Sequence, residues 1–232
     1  MLKLYYVPGT CALCPHIVLR EAGLDYTLDK VGRDDKKTET GDDYTAINPK
    51  TNVPALVMKN GQLLTEVAVI VQYLADQAPE KKLAPSTGTL ERYRLQEWLN
   101  FISSEIHKGC SPLFNPKLDD EAKAVLMPRL KQRIAYAANA LKDKEYLMGG
   151  FTVADAYLFT VLRWAPRLGF DLLRTGWAFR RRGWWRRAPY LPVPDRRYLR
   201  WRMYTAYGHE DAVPPLDDVC HFARWRRETM GL

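Results

Sequence analysis

The sequence predicts an α/β domain followed by an all-helical domain. Over residues 1–78, short apolar runs alternate with helical patterns, which is typical of a small α/β fold. Residues 78–88 contain two prolines and a glycine and indicate a linker. Beyond this linker, apolar residues recur at intervals of three and four, as in amphipathic helices. We therefore place the α/β domain at residues 1–80 and the helical domain at residues 88–172.

The first half of the α/β domain reads as a βαβ unit. Strands are expected over residues 2–7 and 26–31. Between them, residues 12–22 carry a helical apolar pattern, and Gly23 is expected to end that helix. A polar stretch follows the second strand.

The second half of this domain reads as a ββα unit. Strands are expected over residues 53–58 and 63–65, and the Asn-Gly pair between them favours a hairpin turn. Glu66 then opens a helix whose apolar face consists of Val69, Ile70, Tyr73 and Leu74.

The helical domain is read from three apolar patterns. The first face consists of Leu95, Leu99, Ile102 and Ile106. The second contains Pro128, which indicates a kink or a late helix start, and consists of Leu126, Leu130, Ile134, Ala138 and Leu141. A capping box over residues 152–155 opens the third helix, whose face consists of Val153, Tyr157, Leu158, Val161 and Leu162.

Composition limits the function classes. The net charge is +8, but all 14 lysines precede residue 145 and 14 of the arginines follow residue 165, so the body is close to neutral. No apolar run of about 18 residues is present, which argues against a membrane span. The four cysteines form no disulfide framework and, with the histidines, no metal-ligand spacing. Since the start lacks the layout of a secretory signal, we expect a cytoplasmic protein.

Cys11 is the first candidate for chemistry, because it lies at a strand-to-helix turn. Free N–H groups and the helix dipole stabilise a thiolate there, so we expect a lowered pKa. Cys14 completes a C-x-x-C motif beside a βαβ pattern, which suggests thiol–disulfide exchange, with Cys14 resolving a mixed disulfide at Cys11. The alternative is that Cys14 is only a packed helix residue.

Five motifs resemble bacterial glutathione S-transferases, most of all the beta class. They are LYYVPGTCAL, NPKTNVPAL, LLTEVAVIVQYLAD, LNFISSEIHKG and FTVADAYLF, which occur in the family's order. The resemblance covers residues 1 to about 172. It implies a thioredoxin-like N-terminal domain, a helical glutathione transferase C-terminal domain, a homodimer, and glutathione as co-substrate for transfer to a small electrophile.

The resemblance also implies roles on the α/β side. Cys11 corresponds to the active-site cysteine, which hydrogen-bonds glutathione or forms a mixed disulfide with it. Val53 and Pro54 match a cis-proline site, where the Val53 backbone pairs with glutathione. Glu66 corresponds to the acid that binds the γ-glutamyl ammonium, whereas Val67 replaces the usual Ser or Gly and removes a hydroxyl donor. Lys36 matches a basic residue that reaches the glycyl carboxylate, with a solvated charge as the alternative.

On the helical side, the resemblance places His107 over the thiol, where it donates to sulfur or polarises a substrate. Lys108 follows it and is assigned to the glutathione site. Tyr6 occupies the tyrosine position before the cysteine loop; in this class it is not the main sulfur activator, and simple packing is the alternative.

The segment 173–232 departs from this pattern. Arg and Trp rise together, Lys is absent, and helical periodicity disappears. We interpret the segment as a frameshift product rather than a stable domain. The alternative is a genuine tail for nucleic acid or membrane, since Arg interleaved with Trp suits phosphates and stacking.

Two other functions stay open at this stage. One is a glutaredoxin-like reductase that uses Cys11 and Cys14. The other is a non-catalytic or impaired relative, which the altered C-terminus and Val67 favour. The electrophile cannot be read from the sequence, because its site is formed by helical-domain side chains that vary freely on one fold.

Overall fold

A computed structural model describes residues 1–164. The predicted boundary at residue 172 and the segment 173–232 lie outside the described residues, so the frameshift hypothesis stays a prediction. In the described part, no helix is long and apolar enough to cross a membrane.

A four-stranded mixed sheet forms the core of the N-terminal domain. In chain order its strands are β1 (Leu2–Tyr6), β2 (Tyr26–Lys30), β3 (Ala55–Val57) and β4 (Leu63–Thr65). Their spatial order is β2-β1-β3-β4, with β2 parallel and β3 antiparallel to β1, and β4 antiparallel to β3. The predicted βαβ and ββα units are confirmed, each strand within a few residues of its expected bounds.

Three helices belong to this domain. They are α1 (Leu13–Ala22), the single-turn α2 (Tyr44–Ile47) and α3 (Val67–Asp76). Gly23 ends α1 in the left-handed region, at φ 66°, as its position in the sequence predicts. Gly61 takes φ 82° in the turn between β3 and β4, which explains the Asn-Gly pair there.

The apolar face predicted for α3 is partly wrong. Ile70 and Leu74 are fully buried, but Val69 is 46% exposed and Val71 is buried instead. The helix begins at Val67 rather than at Glu66, and both α1 and the helix Val153–Leu162 pack against it. Because α3 is covered by two neighbours, its buried surface is wider than a single stripe and includes Val71.

The helical domain begins with α4 (Leu90–Phe101), which Thr89 caps by accepting the Arg92 N–H. A π-helical turn, Ile102–His107, continues α4 and leads into the short α5 (Lys108–Cys110). The predicted face of Leu95, Leu99, Ile102 and Ile106 is confirmed, since all four are buried. The extra residue per turn in a π segment re-aims the side chains that follow it.

Two longer helices follow, α6 (Asp120–Ala140) and α7 (Val153–Leu162). Asp119 caps α6, which runs through Pro128, so the expected late start is wrong. Leu126 on the predicted face is 38% exposed, whereas Leu130 is buried.

The capping box of α7 is confirmed. The Thr152 N–H donates to the Asp155 carboxylate at 2.9 Å, and the Leu147 N–H donates to the same carboxylate at 2.9 Å. The whole predicted apolar face of α7 is buried, because the helix packs between α1, α3 and α4.

Candidate active site

A cavity of about 340 Å³ lies between the sheet domain and the helical domain. The sheet domain lines it with the residues Val7, Gly9, Thr10, Cys11, Val31, Arg33, Lys36, Thr51, Asn52 and Val53. The helical domain lines it with His107, Ser111, Phe114 and Trp164. Cys11 and His107 therefore both line one cavity, as the family resemblance implies.

Cys11 is a buried neutral thiol rather than a thiolate. Its side chain is 8% exposed, and its Sγ donates to the carbonyl of Val53 at 3.3 Å. Burial raises the pKa of Cys11 to about 12, which outweighs the opposing effects of its own backbone N–H and the charge of Lys108. The expected lowered pKa is therefore wrong. The physical reason is that α1 begins two residues later, at Leu13, and the thiol lies in a desolvated loop.

Hydrogen bonds from buried polar side chains stabilise the turn that carries Val53. The Asn48 side chain is 2% exposed and donates to the Asn52 carbonyl at 2.8 Å and to the Tyr44 hydroxyl at 3.3 Å. The Tyr44 hydroxyl donates to the same Asn52 carbonyl at 2.8 Å. The peptide bond between Val53 and Pro54 is cis, as predicted. This scaffold fixes the direction of the Val53 carbonyl toward Cys11.

His107 is a neutral imidazole whose ring is oriented by Tyr157. Its Nδ1 lies 2.7 Å from the Tyr157 hydroxyl, and the Ser103 side chain also hydrogen-bonds that hydroxyl. Burial raises the pKa of Tyr157, so its hydroxyl keeps its proton. Burial also lowers the pKa of His107 to about 4, and the charge of Lys108 adds to this effect.

An aromatic wall completes the helical side of the cavity. The Trp164 ring lies edge-on to His107, with centroids 5.1 Å apart, and to Phe114, at 5.4 Å. Its indole N–H donates to the Gly9 carbonyl at 3.0 Å, in the loop that precedes Cys11. One side chain thus belongs to the wall and also ties it to the cysteine loop.

Glu66 lies at the start of α3 with an unusual backbone, at φ 71°. Its carboxylate makes no capping bond and instead accepts from the Lys50 ammonium at 3.1 Å. Val67, the first helical residue, is 6% exposed and turns an apolar side chain inward. The charge of Glu66 adds a little to the raised pKa of Cys11, to which burial contributes most.

Comparisons with known proteins agree with this geometry. The family described as glutathione S-transferase, N-terminal domain, matches residues 10–77, and glutathione S-transferase, C-terminal domain, matches residues 101–181. The glutathione S-transferase GstA of Escherichia coli O157:H7 is 50% identical over 172 residues, which cover 74% of this chain and 86% of that protein. The chain belongs to the glutathione S-transferase family.

Solved glutathione S-transferase structures narrow the class. A bacterial beta class enzyme from Sphingomonas chungbukensis is 44% identical, with a TM-score of 0.73, over 76% of this chain and 90% of that one. A sphingomonad glutathione S-transferase complexed with glutathione is 41% identical, with a TM-score of 0.74, over 81% of this chain and 94% of that one. The chain is therefore a beta-class-like glutathione S-transferase with a thioredoxin-like domain and a helical domain.

Only some of the residues predicted for the glutathione S-transferase site line the cavity. Lys36 lines the cavity, and its backbone is fixed at φ 54° with its carbonyl accepting the Tyr44 N–H. Tyr6 does not line it; burial, then Glu39 and Asp29, raise the pKa of its hydroxyl. Glu66, Val67 and Lys108 also lie outside the lining, as does Pro54.

Cys14 packs rather than faces the cavity. Its side chain is fully buried in α1, it is absent from the cavity lining, and burial holds its pKa well above the usual value. These facts favour the packed residue over the resolving thiol, and the named relatives are transferases rather than reductases. Among residues 1–164, no cluster of His, Cys, Asp or Glu could hold a metal ion.

Sequence reasoning missed three residues of the site. Trp164 and Phe114 occur in segments without a recognised motif, so only the fold brings them opposite Cys11. Tyr157 was assigned to the core from its helical spacing, although its hydroxyl also orients His107. A buried tyrosine needs a hydrogen-bond partner, and that rule was the available signal.

Proposed function

We propose that this chain transfers glutathione to small electrophiles by using the Cys11 thiol as a hydrogen-bond donor to the glutathione sulfur. The observation that carries the proposal is the cavity shared by a neutral Cys11, the Val53 carbonyl and His107. A thiol with a pKa of about 12 is a poor nucleophile at neutral pH but a competent donor.

The chemical step then belongs to the glutathione sulfur. Its thiol loses a proton to solvent, and the thiolate forms a C–S bond with the electrophile while the leaving group departs with its electron pair. When glutathione binds, the Cys11 S–H turns from the Val53 carbonyl to the glutathione sulfur. With the Tyr157 hydroxyl donating to Nδ1, the ring proton of His107 lies on Nε2, so Cys11 and His107 both donate to the thiolate in a desolvated cavity. Phe114 and Trp164 would pack against an apolar electrophile on the other side.

The ends of glutathione would be bound by the sheet domain. The Val53 backbone pairs with its central peptide unit, the Lys36 ammonium faces its glycyl carboxylate, and the Glu66 carboxylate faces its γ-glutamyl ammonium. Lys108 contributes a positive charge near the sulfur, since it already favours the thiolate form of Cys11.

The test compares three variants in conjugation of an activated nitroaryl chloride. Cys11→Ser keeps a hydroxyl donor and should retain kcat/KM within about tenfold, whereas Cys11→Ala should lose about 100-fold. Cys14→Ala is the matched control, because it removes a neighbouring buried thiol and should leave the rate unchanged. Equal loss in the Ser and Ala variants would instead indicate a covalent role for Cys11.

We also propose a cytoplasmic homodimer. Among the described residues, the three cysteines are free, which suits a reducing compartment. Three large apolar side chains stay exposed on α3 and α4, at Val69, Leu90 and Tyr93. These helices already contact each other through Gln72 and Gln96. Light scattering of Tyr93→Lys against wild type tests whether this surface is the interface.

A further inference from the structure

We propose that Lys50 binds the α-carboxylate of the γ-glutamyl residue of glutathione, so that Lys50 and Glu66 together recognise its α-amino-acid end. The inference rests on the proposed function, because it names a second residue for one end of that ligand. Its basis is an ion pair at the mouth of α3 whose two charges match the two charges of an α-amino acid.

Lys50 is held in place from its backbone. Its N–H donates to the Asn48 side chain at 3.1 Å, and Asn48 is buried beneath the turn. The next residue, Thr51, has φ 59°, a conformation that this hydrogen-bonded turn maintains. The same turn continues to Val53, so the base of Lys50 has a fixed position relative to the cavity.

The Lys50 ammonium is oriented at its other end as well. It donates to the Thr65 hydroxyl at 3.0 Å and to the Glu66 carboxylate at 3.1 Å. The ammonium has three protons, so a further acceptor can be bound without breaking both contacts. Its side chain is 56% exposed, which leaves that position open to a ligand from solvent.

The Glu66 carboxylate is also open to solvent, beside the Lys50 ammonium. Its backbone carbonyl accepts the N–H groups of Val69 and Ile70, while its side chain makes no cap bond and is 65% exposed. An exposed ion pair contributes little to stability, so stability alone does not account for this pair in a strained turn.

The ligand has matching charges. The γ-glutamyl residue carries an ammonium and a carboxylate on the same carbon, and the protein presents a carboxylate and an ammonium 3.1 Å apart. The ligand ammonium would pair with the Glu66 carboxylate, and the ligand carboxylate would pair with the Lys50 ammonium. Val67 contributes no side-chain donor to the carboxylate, because its side chain is apolar and buried. Lys50 supplies the positive charge for the ligand's α-carboxylate, which the Val67 side chain cannot bind.

The experiment measures Kd by calorimetry for glutathione and for two analogues, one lacking only the α-carboxylate and one lacking only the α-ammonium. Wild type, Lys50→Met and Glu66→Gln are compared, with Lys59→Met as control for the loss of one exposed lysine in the same domain. Lys50→Met should raise the Kd for glutathione about three- to tenfold and leave the midpoint of thermal unfolding unchanged. It should bind the carboxylate-free analogue as wild type does.

The two analogues separate the roles. Glu66→Gln should abolish discrimination against the ammonium-free analogue only, and Lys50→Met should abolish discrimination against the carboxylate-free analogue only. Tighter glutathione binding by Lys50→Met would overturn the proposal, because Lys50 would then compete for Glu66. Unchanged binding by Lys50→Met would also overturn it. Failure of wild type to bind glutathione would instead contradict the proposed function.

Discussion

The two walls of the cavity are built in different ways. The sheet domain presents backbone groups held by turns, such as the Val53 carbonyl and the Gly9 carbonyl. The helical domain presents side chains, namely His107, Phe114 and Trp164. Backbone geometry is set by the fold and suits a ligand that does not vary, whereas side chains can change without changing the fold. The comparison separates recognition of glutathione from selection of the electrophile.

The largest effect that would sharpen this comparison is expected at His107. His107→Phe removes the Nε2 donor but keeps a ring beside Trp164, so kcat/KM for the nitroaryl chloride should fall about 100-fold. The Kd for glutathione should change less than about threefold, because the contacts proposed for that ligand's backbone and charged ends lie in the sheet domain. Steady-state kinetics and calorimetry check the two values. Parallel loss of both would show that the helical wall also binds glutathione.

The matching change in the sheet domain is made at Asn48, whose buried side chain supports the turn that carries Val53. Asn48→Ala removes the bonds to the Asn52 carbonyl and the Tyr44 hydroxyl, so unfolding free energy should fall by about 2–3 kcal/mol. Glutathione affinity should fall with it, because Lys50 and Val53 lose their shared support. Urea unfolding and calorimetry measure both effects. Asn48→Asp keeps the acceptor for the Lys50 N–H and serves as a partial control.

The two walls also differ in how far their features could be predicted from the amino-acid sequence. The strands and the capping box follow from local rules, because Gly23, Gly61 and Asp155 act on their immediate neighbours. The cis bond was expected only from the family resemblance, since most X-Pro bonds are trans. The pKa of Cys11 does not follow from local rules either, since burial in the folded chain opposes the local helix dipole. The exposure of Val69 and the place of Trp164 likewise depend on which elements pack together. Local rules therefore predicted the elements of the sheet domain, whereas the pKa of Cys11 and the aromatic residues of the helical wall depend on how the elements pack.

A third prediction concerns the loss of stability at acid pH. It tests one histidine in the sheet domain and one in the helical domain. Burial lowers the pKa of His16 in α1 and of His107 to about 4, against about 6.5 in an unfolded chain. Between these values the unfolded state binds more protons, so stability should fall as pH falls from about 6.5 to about 4. The buried His16 accounts for up to about 3 kcal/mol.

Urea unfolding across that range checks the sign and the assignment. His16→Asn and His107→Asn should each flatten the dependence of stability on pH, and the double variant should flatten it most. A profile that keeps the wild-type slope in both single variants would mean that other groups, such as carboxylates, control acid stability. Stability that rises toward pH 4 would contradict the sign itself.

The smallest effect is expected at a hydrogen bond that joins the two walls, from Trp164 to Gly9. Trp164→Phe keeps an aromatic ring against His107 and Phe114 but removes the indole N–H that donates to the Gly9 carbonyl. One lost neutral hydrogen bond is worth about 1 kcal/mol, so kcat/KM should fall about threefold to fivefold. Because Gly9 precedes Cys11 in the sheet-domain loop, the loss should appear in kcat while the KM for glutathione stays unchanged. Trp98→Phe, elsewhere in the helical domain, is the control for replacing a tryptophan. A loss confined to bulky electrophiles would place Trp164 wholly in the variable wall, and the two walls would then act independently.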